Sequence, residues 1–136
     1  MRKKIIRYKF DESIRKELHT LRKYDNWHCF LALAEDFLFI TLAILMSVHI
    51  SWYLLPLSLL IIGSRQRALA TILHESAHGA FAKNRRLNYI MGTFCSGYLI
   101  IQTMSSYKSS HINFHHTHFG DPEKDIGPVA VFLASD

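Results

Sequence analysis

Apolar positions fall into distinct regimes along this chain. From Asp11 to Tyr24 they are sparse and periodic, with Ile14, Leu18 and Leu21 recurring at i, i+4 and i+7 among charged neighbours. That spacing predicts an amphipathic helix lying on a surface. From Phe37 to Ser64 there is no Asp, Glu, Lys or Arg. As a single helix this stretch would be ~42 Å long at 1.5 Å per residue, well beyond a hydrocarbon core of ~30 Å. One crossing would also place the basic N-terminus and the later cluster Arg65, Arg67, Lys83, Arg85 and Arg86 on opposite faces, against the positive-inside bias. Two crossings over about residues 30–72 put both clusters on one side. The tip then falls near His49, Ile50, Ser51, Trp52 and Tyr53, where adjacent amphipathic aromatics suit the water interface and His49 reads as a polar tip residue. The first helix is predicted to start between Trp27 and Phe30, and the second to run from about Trp52 through Leu73 with Pro56 in its first turn. Glu35 and Asp36 fall inside the first helix, so they must sit at the headgroup level or find partners within the bundle.

A length of 136 residues allows one compact domain or a small membrane bundle. The 49% hydrophobic content is average for soluble proteins, and the uneven distribution carries the information instead. It excludes a disordered chain and argues for an all-α membrane protein. Nine of the sixteen basic residues lie in the first 23 positions: Arg2, Lys3, Lys4, Arg7, Lys9, Arg15, Lys16, Arg22 and Lys23. No recognised nucleic-acid motif accompanies them, so residues 1–26 are read as a basic amphipathic segment attracted to lipid headgroups, with no nucleic-acid partner. The opening Met1, Arg2, Lys3, Lys4 is followed only by Ile5 and Ile6 before more charge, without the apolar core of a signal peptide. The expected disposition is integral and multi-pass, with a cytoplasmic N-terminus. Cys29 and Cys95 lack C-x-x-C spacing and are read as small buried apolar residues.

Chemistry concentrates after the apolar stretch, where six of the nine histidines fall between positions 74 and 118. In His74-Glu75-Ser76-Ala77-His78 the two histidines are one helical turn apart, so two imidazoles share a face. The same five residues match H-E-x-x-H, the zinc-binding pattern of metalloproteases, in which the glutamate is general base. That reading needs a third protein ligand and leaves the second cluster unexplained. The second cluster is His111-Ile112-Asn113-Phe114-His115-His116, with His118 just beyond. Packing accounts poorly for four imidazoles within eight residues. Nitrogen ligands without thiolate suit iron, zinc or copper.

These residues carry a resemblance. The run Arg65-Gln66-Arg67-Ala68-Leu69, then His74 to Gly79, Asn84-Arg85-Arg86-Leu87-Asn88, His111 to His116, and Gly120-Asp121-Pro122-Glu123-Lys124-Asp125 resembles the N-terminal half of a membrane fatty acid desaturase. The likeness covers roughly residues 27–136 and rests on two histidine boxes, 74–78 and 111–116, in the family's order after a hairpin. It implies an O2-dependent enzyme of lipid metabolism that introduces a double bond into an acyl chain at a non-haem diiron centre on the cytoplasmic face. Ferredoxin or a b-type cytochrome would supply the electrons. Carried over by position, His74, His78, His111, His115 and His116 would be iron ligands, while Glu75 and His118 would support them from behind. Hydroxylases and ketolases of lipids and carotenoids share boxes of this kind.

If both boxes serve one metal pair, Leu87 to Met104 cannot cross the membrane completely between them, so it is expected to form an interfacial or re-entrant helix. Asp121-Pro122 and Gly127-Pro128 mark turns, which makes Asp121, Glu123 and Asp125 solvated turn residues. Family members continue into a second hairpin and a third histidine box, of which Val129 to Ala134 would be the start. The expectation is that these 136 residues lack activity unless a complementing C-terminal half or a homo-oligomer supplies further ligands. An inactive metal-binding remnant is the alternative.

Overall fold

The structure, a computed structural model, describes residues 10–21 and 24–118, the side chain of Phe114 excepted. The basic residues up to Lys9, together with Arg22 and Lys23, lie outside the described residues, as do the expected turns at Asp121-Pro122 and Gly127-Pro128 and the segment from Val129 to Ala134. Among the described residues every regular element is helical: α1 (Glu12–Leu21), α2 (His28–Leu45), α3 (Leu55–Ala77), α4 (Arg85–Phe94) and α5 (Met104–Tyr107). α2 runs on as a wider π turn over Met46–Ile50, and α5 likewise over Lys108–His116.

α2 starts where an Asx cap forms. Asp25 Oδ1 accepts the backbone N–H groups of Trp27 and His28 at 2.9 and 3.0 Å, and its Oδ2 meets His28 Nδ1 at 2.6 Å. These bonds favour the carboxylate and hold Asp25 down to about 2. With its π extension the helix covers His28–Ile50, 23 residues, and is the one described helix long and apolar enough to cross a membrane. Ser51 is extended and its hydroxyl accepts the Tyr53 N–H, which breaks the helix inside the expected tip. Pro56 lies in the first turn of α3, as its missing N–H requires.

α2 and α3 pack antiparallel. Ser58 near the start of α3 donates to Ala43 O at 2.8 Å and meets Ser47 Oγ at 2.5 Å, while Cys29 and Leu33 at the other end of α2 share a core with Leu69 and Ile72. Between these ends Arg65 Nη1 lies 3.3 Å from Asp36 and 3.5 Å from Glu35, with its guanidinium 5.1 Å from the Phe39 ring centroid. Asp36 is only 4% exposed, so of the two expected arrangements it takes the one with a partner in the bundle.

The region expected as one helix over 87–104 is interrupted. α4 ends at Phe94, a 3-10 turn covers Gly97–Ile100, Ile101 adopts φ +58°, and α5 begins at Met104. The cause is close packing. Gly97 lies so near Gln102 O and Gly92 O that a Cβ there would stand 2.7 and 3.0 Å from them, and Ser96 Oγ donates to Leu69 O at 2.6 Å. Side-chain bonds back to α3 thus replace continuous helical ones, and the chain reverses toward the second histidine cluster.

Candidate metal centre

The last turn of α3 carries the first histidine pair and stops just after it. His78 is the C-cap, Gly79 takes φ +70°, its N–H reaches Ser76 O at 3.0 Å, and the Ala80 N–H reaches Glu75 O at 2.8 Å. This is a Schellman closure, which the glycine following the pair makes possible. Asn88 of α4, 6% exposed, then fastens the turn. Its Oδ1 accepts the N–H groups of Phe81 and Ala82 at 3.1 Å each, and its Nδ2 donates to Ser76 O at 2.8 Å. From the opposite side, Asp25 O accepts the Lys83 N–H at 2.9 Å and Asn26 Oδ1 the Asn84 N–H at 2.7 Å. The start of α2 and the start of α4 therefore both hold the loop that leaves the pair.

Five imidazoles converge here from two segments. One ligating atom each of His74, His78 and His111 lies within 4.8 Å of the others. Ring centroids of His74 and His111 are 4.6 Å apart, and His116 stands 5.0 Å from His78 and 4.6 Å from His111. His115 stacks on His111 at 5.5 Å. The Nε2 atoms of His111 and His116 are 3.1 Å apart. Metal–nitrogen bonds of ~2.1 Å place adjacent imidazole nitrogens roughly 3 Å apart, so this pair already has the spacing of neighbouring ligands on one ion. The group of His74, His78 and His111, whose ligating atoms lie within 4.8 Å, would have to close by up to about 1.5 Å to reach the same spacing. The π turns of Lys108–His116 bring His111, His115 and His116 to one side, because residues five apart align when about 4.4 residues make a turn.

Electrostatics suit a cation. Partial burial, and then the repulsion of His74, His116, His78 and His115, push His111 down to about 4, and burial with His74 and His116 lowers His78. At neutral pH these rings carry free lone pairs. Glu75 meets His74 Nδ1 at 3.0 Å, which leaves Nε2 of that ring for a metal. His118 is half-buried two residues beyond His116. The sequence reading missed Tyr107, whose ring stacks on His111 at 5.2 Å and stands edge-on to His74 at 6.4 Å, with burial raising its hydroxyl. It also missed the bracing role of Asn88, although a polar residue one turn beyond the Asn84 cap was a visible signal. A cleft of about 420 Å³ opens beside His78, with Arg85, Tyr89 and Lys108 in its walls.

Helices that gather imidazoles of two histidine clusters at one end, without thiolate, define a helical protein with a nitrogen-rich candidate metal site. The chain belongs to the fatty acid desaturase family, whose model matches residues 50–129. It is 40% identical over 116 residues to the dihydrorhizobitoxine desaturase of Bradyrhizobium elkanii, a match covering 85% of this chain and 33% of that protein. The chain thus spans about a third of the length of this curated relative. No solved structure matches it.

Proposed function

We propose that this chain forms the iron-binding part of an O2-dependent desaturase, with His74, His78, His111, His115 and His116 as ligands for a pair of irons. The observation that carries this reading is the convergence of His74 and His78 with His111, more than thirty positions away in the chain. A zinc protease would use three ligands and leave His115 and His116 idle beside them, whereas an iron pair employs all five. Iron, when bound, supplies the oxidising chemistry that a saturated carbon–carbon bond demands. The chain's own residues fix the ligands. Glu75 orients His74 through Nδ1, Asn88 anchors the carbonyl of Ser76 between the paired histidines, and Tyr107 covers the His74 and His111 rings against water. The family is named for fatty acids and the relative for dihydrorhizobitoxine, so substrates of this chain are molecules presenting a saturated carbon–carbon bond to the cluster. Electrons come from ferredoxin or a b-type cytochrome.

In this reading α2 crosses the bilayer and α3 returns as the second arm of a hairpin, its Arg65 matched by Asp36 of α2, with the basic N-terminal segment and both boxes on the cytoplasmic side. α2 supports it by length and composition, and Arg65, Arg67, Lys83, Arg85 and Arg86 support it by clustering toward the histidine end of α3. The test is iron and zinc content per chain in detergent-purified protein, beside a His111→Ala/His115→Ala variant. Bound iron that is lost in the variant is expected, approaching two per chain where a second copy or a complementing half supplies the further ligands, and absent iron would overturn the reading. One zinc retained by the variant would return the site to the H-E-x-x-H reading.

A further inference from the structure

Among the described α-helices, α1 alone has no buried residue. Ile14, Leu18 and Leu21 form one stripe along it, and all three are exposed. On its polar face Lys16 pairs with Glu12 at 3.3 Å, one turn apart, so that face is internally neutralised. The unbalanced charge flanks the helix instead. Through residue 23 there are nine basic residues against three acidic ones, Asp11, Glu12 and Glu17. Arg22 and Lys23 follow the helix directly, and Arg2, Lys3, Lys4, Arg7 and Lys9 precede it. Position narrows the choice of partner further. Only residues 22–27 separate Leu21 from His28, the first residue of the candidate membrane helix, so the stripe ends within about 25 Å of that helix's start. Trp27 at this junction is exposed, as an interfacial aromatic is.

We propose that α1 docks flat on the bilayer, with Ile14, Leu18 and Leu21 at the acyl boundary, and that its partner is an anionic phospholipid surface recognised by the flanking basic residues. This rests on the membrane reading of α2 given above. The stripe alone is too short to hold a helix firmly on a neutral surface, whereas each Lys or Arg near anionic headgroups multiplies attachment about fivefold. In sequence only residues 22–24 separate α1 from Asp25 and Asn26, which hold the loop after the first histidine pair.

The test uses the full chain in nanodiscs of phosphatidylcholine alone and with phosphatidylglycerol added. Trypsin cleavage after Arg15 and Lys16 is followed by mass spectrometry. Cleavage should slow about tenfold or more with the anionic lipid. Raised salt should abolish the protection, as should Arg22→Gln/Lys23→Gln, which removes roughly 25-fold of attachment while leaving the stripe intact. Equal cleavage in both lipids, in a chain that has entered the nanodiscs, overturns the proposal and leaves the membrane reading standing. A chain that does not enter nanodiscs overturns both.

Discussion

Gly92→Ala tests how the two histidine clusters are held in register. Gly92 on α4 faces Ser76, which is fully buried between His74 and His78, and also Met104, the first residue of the helix leading to His111. A Cβ at this position would lie 2.5 Å from Ser76 Oγ and 2.6 Å from Met104 Cε, and it would clash with Ser76 Cβ as well. Comfortable carbon contacts begin near ~3.5 Å, so α4 must retreat from α3 by about 1 Å. The Met104 methyl can swing aside, but Ser76 is fixed by its own backbone. Overpacking of this kind costs about 1–3 kcal/mol. Metal ligands tolerate only about 0.5 Å of misplacement, so the same retreat should separate the clusters enough to lower bound iron. Gly63→Ala on α3 is the matched control, because a Cβ there meets nothing within 4 Å. The control should gain roughly 0.5–1 kcal/mol from helix propensity and keep its iron. Detergent-solubilised protein would be followed by thermal unfolding and iron analysis. If Gly92→Ala unfolds at the control's midpoint with full iron, the close approach of α3 and α4 does not set the site.

Three further outcomes follow from the same geometry. Asn88→Ala removes the acceptor of the Phe81 and Ala82 N–H groups, so those amides should lose hydrogen-exchange protection and stability should fall by about 1–3 kcal/mol; unchanged exchange there would refute the brace. Asp36→Ala leaves Arg65, 27% exposed, without its buried partner and should cost about 3–5 kcal/mol, whereas Glu35→Ala, at a site 64% exposed, should stay within about 1 kcal/mol; equal costs in denaturant unfolding would contradict this division. In metal-free protein His111 is depressed to about 4 from an ordinary 6.5. The unfolded chain therefore binds more protons between those values, and stability should rise from pH 4 to 6.5 and level off above. His111→Ala should flatten that rise, while the loss due to Asp25 appears only below its ordinary carboxylate value of 3.8. A slope unchanged in the variant would show that His111 is not the group responsible.

Local pattern determined much of this protein. The uncharged run from Phe37 to Ser64, the turn at Ser51 to Tyr53, Pro56 and the one-turn spacing of His74 and His78 depend on neighbours within a few positions, so sequence alone placed α2, the break, α3 and the first histidine pair. Spacing and residue type were also enough to suggest the family to which the chain belongs. Packing across the chain decided the remainder. The helix expected over 87–104 was broken where Ser96 donates to Leu69 O and Gly97 lies close against Leu73 of α3, and no local periodicity encodes that approach. Asp36 found Arg65 only once two helices lay antiparallel. Tyr107, one turn before His111 on the same helical run, became a neighbour of His74 only when the chain reversed. Histidine identity and spacing are properties of the chain, but 3.1 Å between the Nε2 atoms of His111 and His116, and the approach of both to His78, are properties of π turns and of the packing of α5 against α3. Short-range sterics and hydrogen bonds write themselves into sequence pattern, whereas the meeting of distant side chains is fixed only when the helices pack.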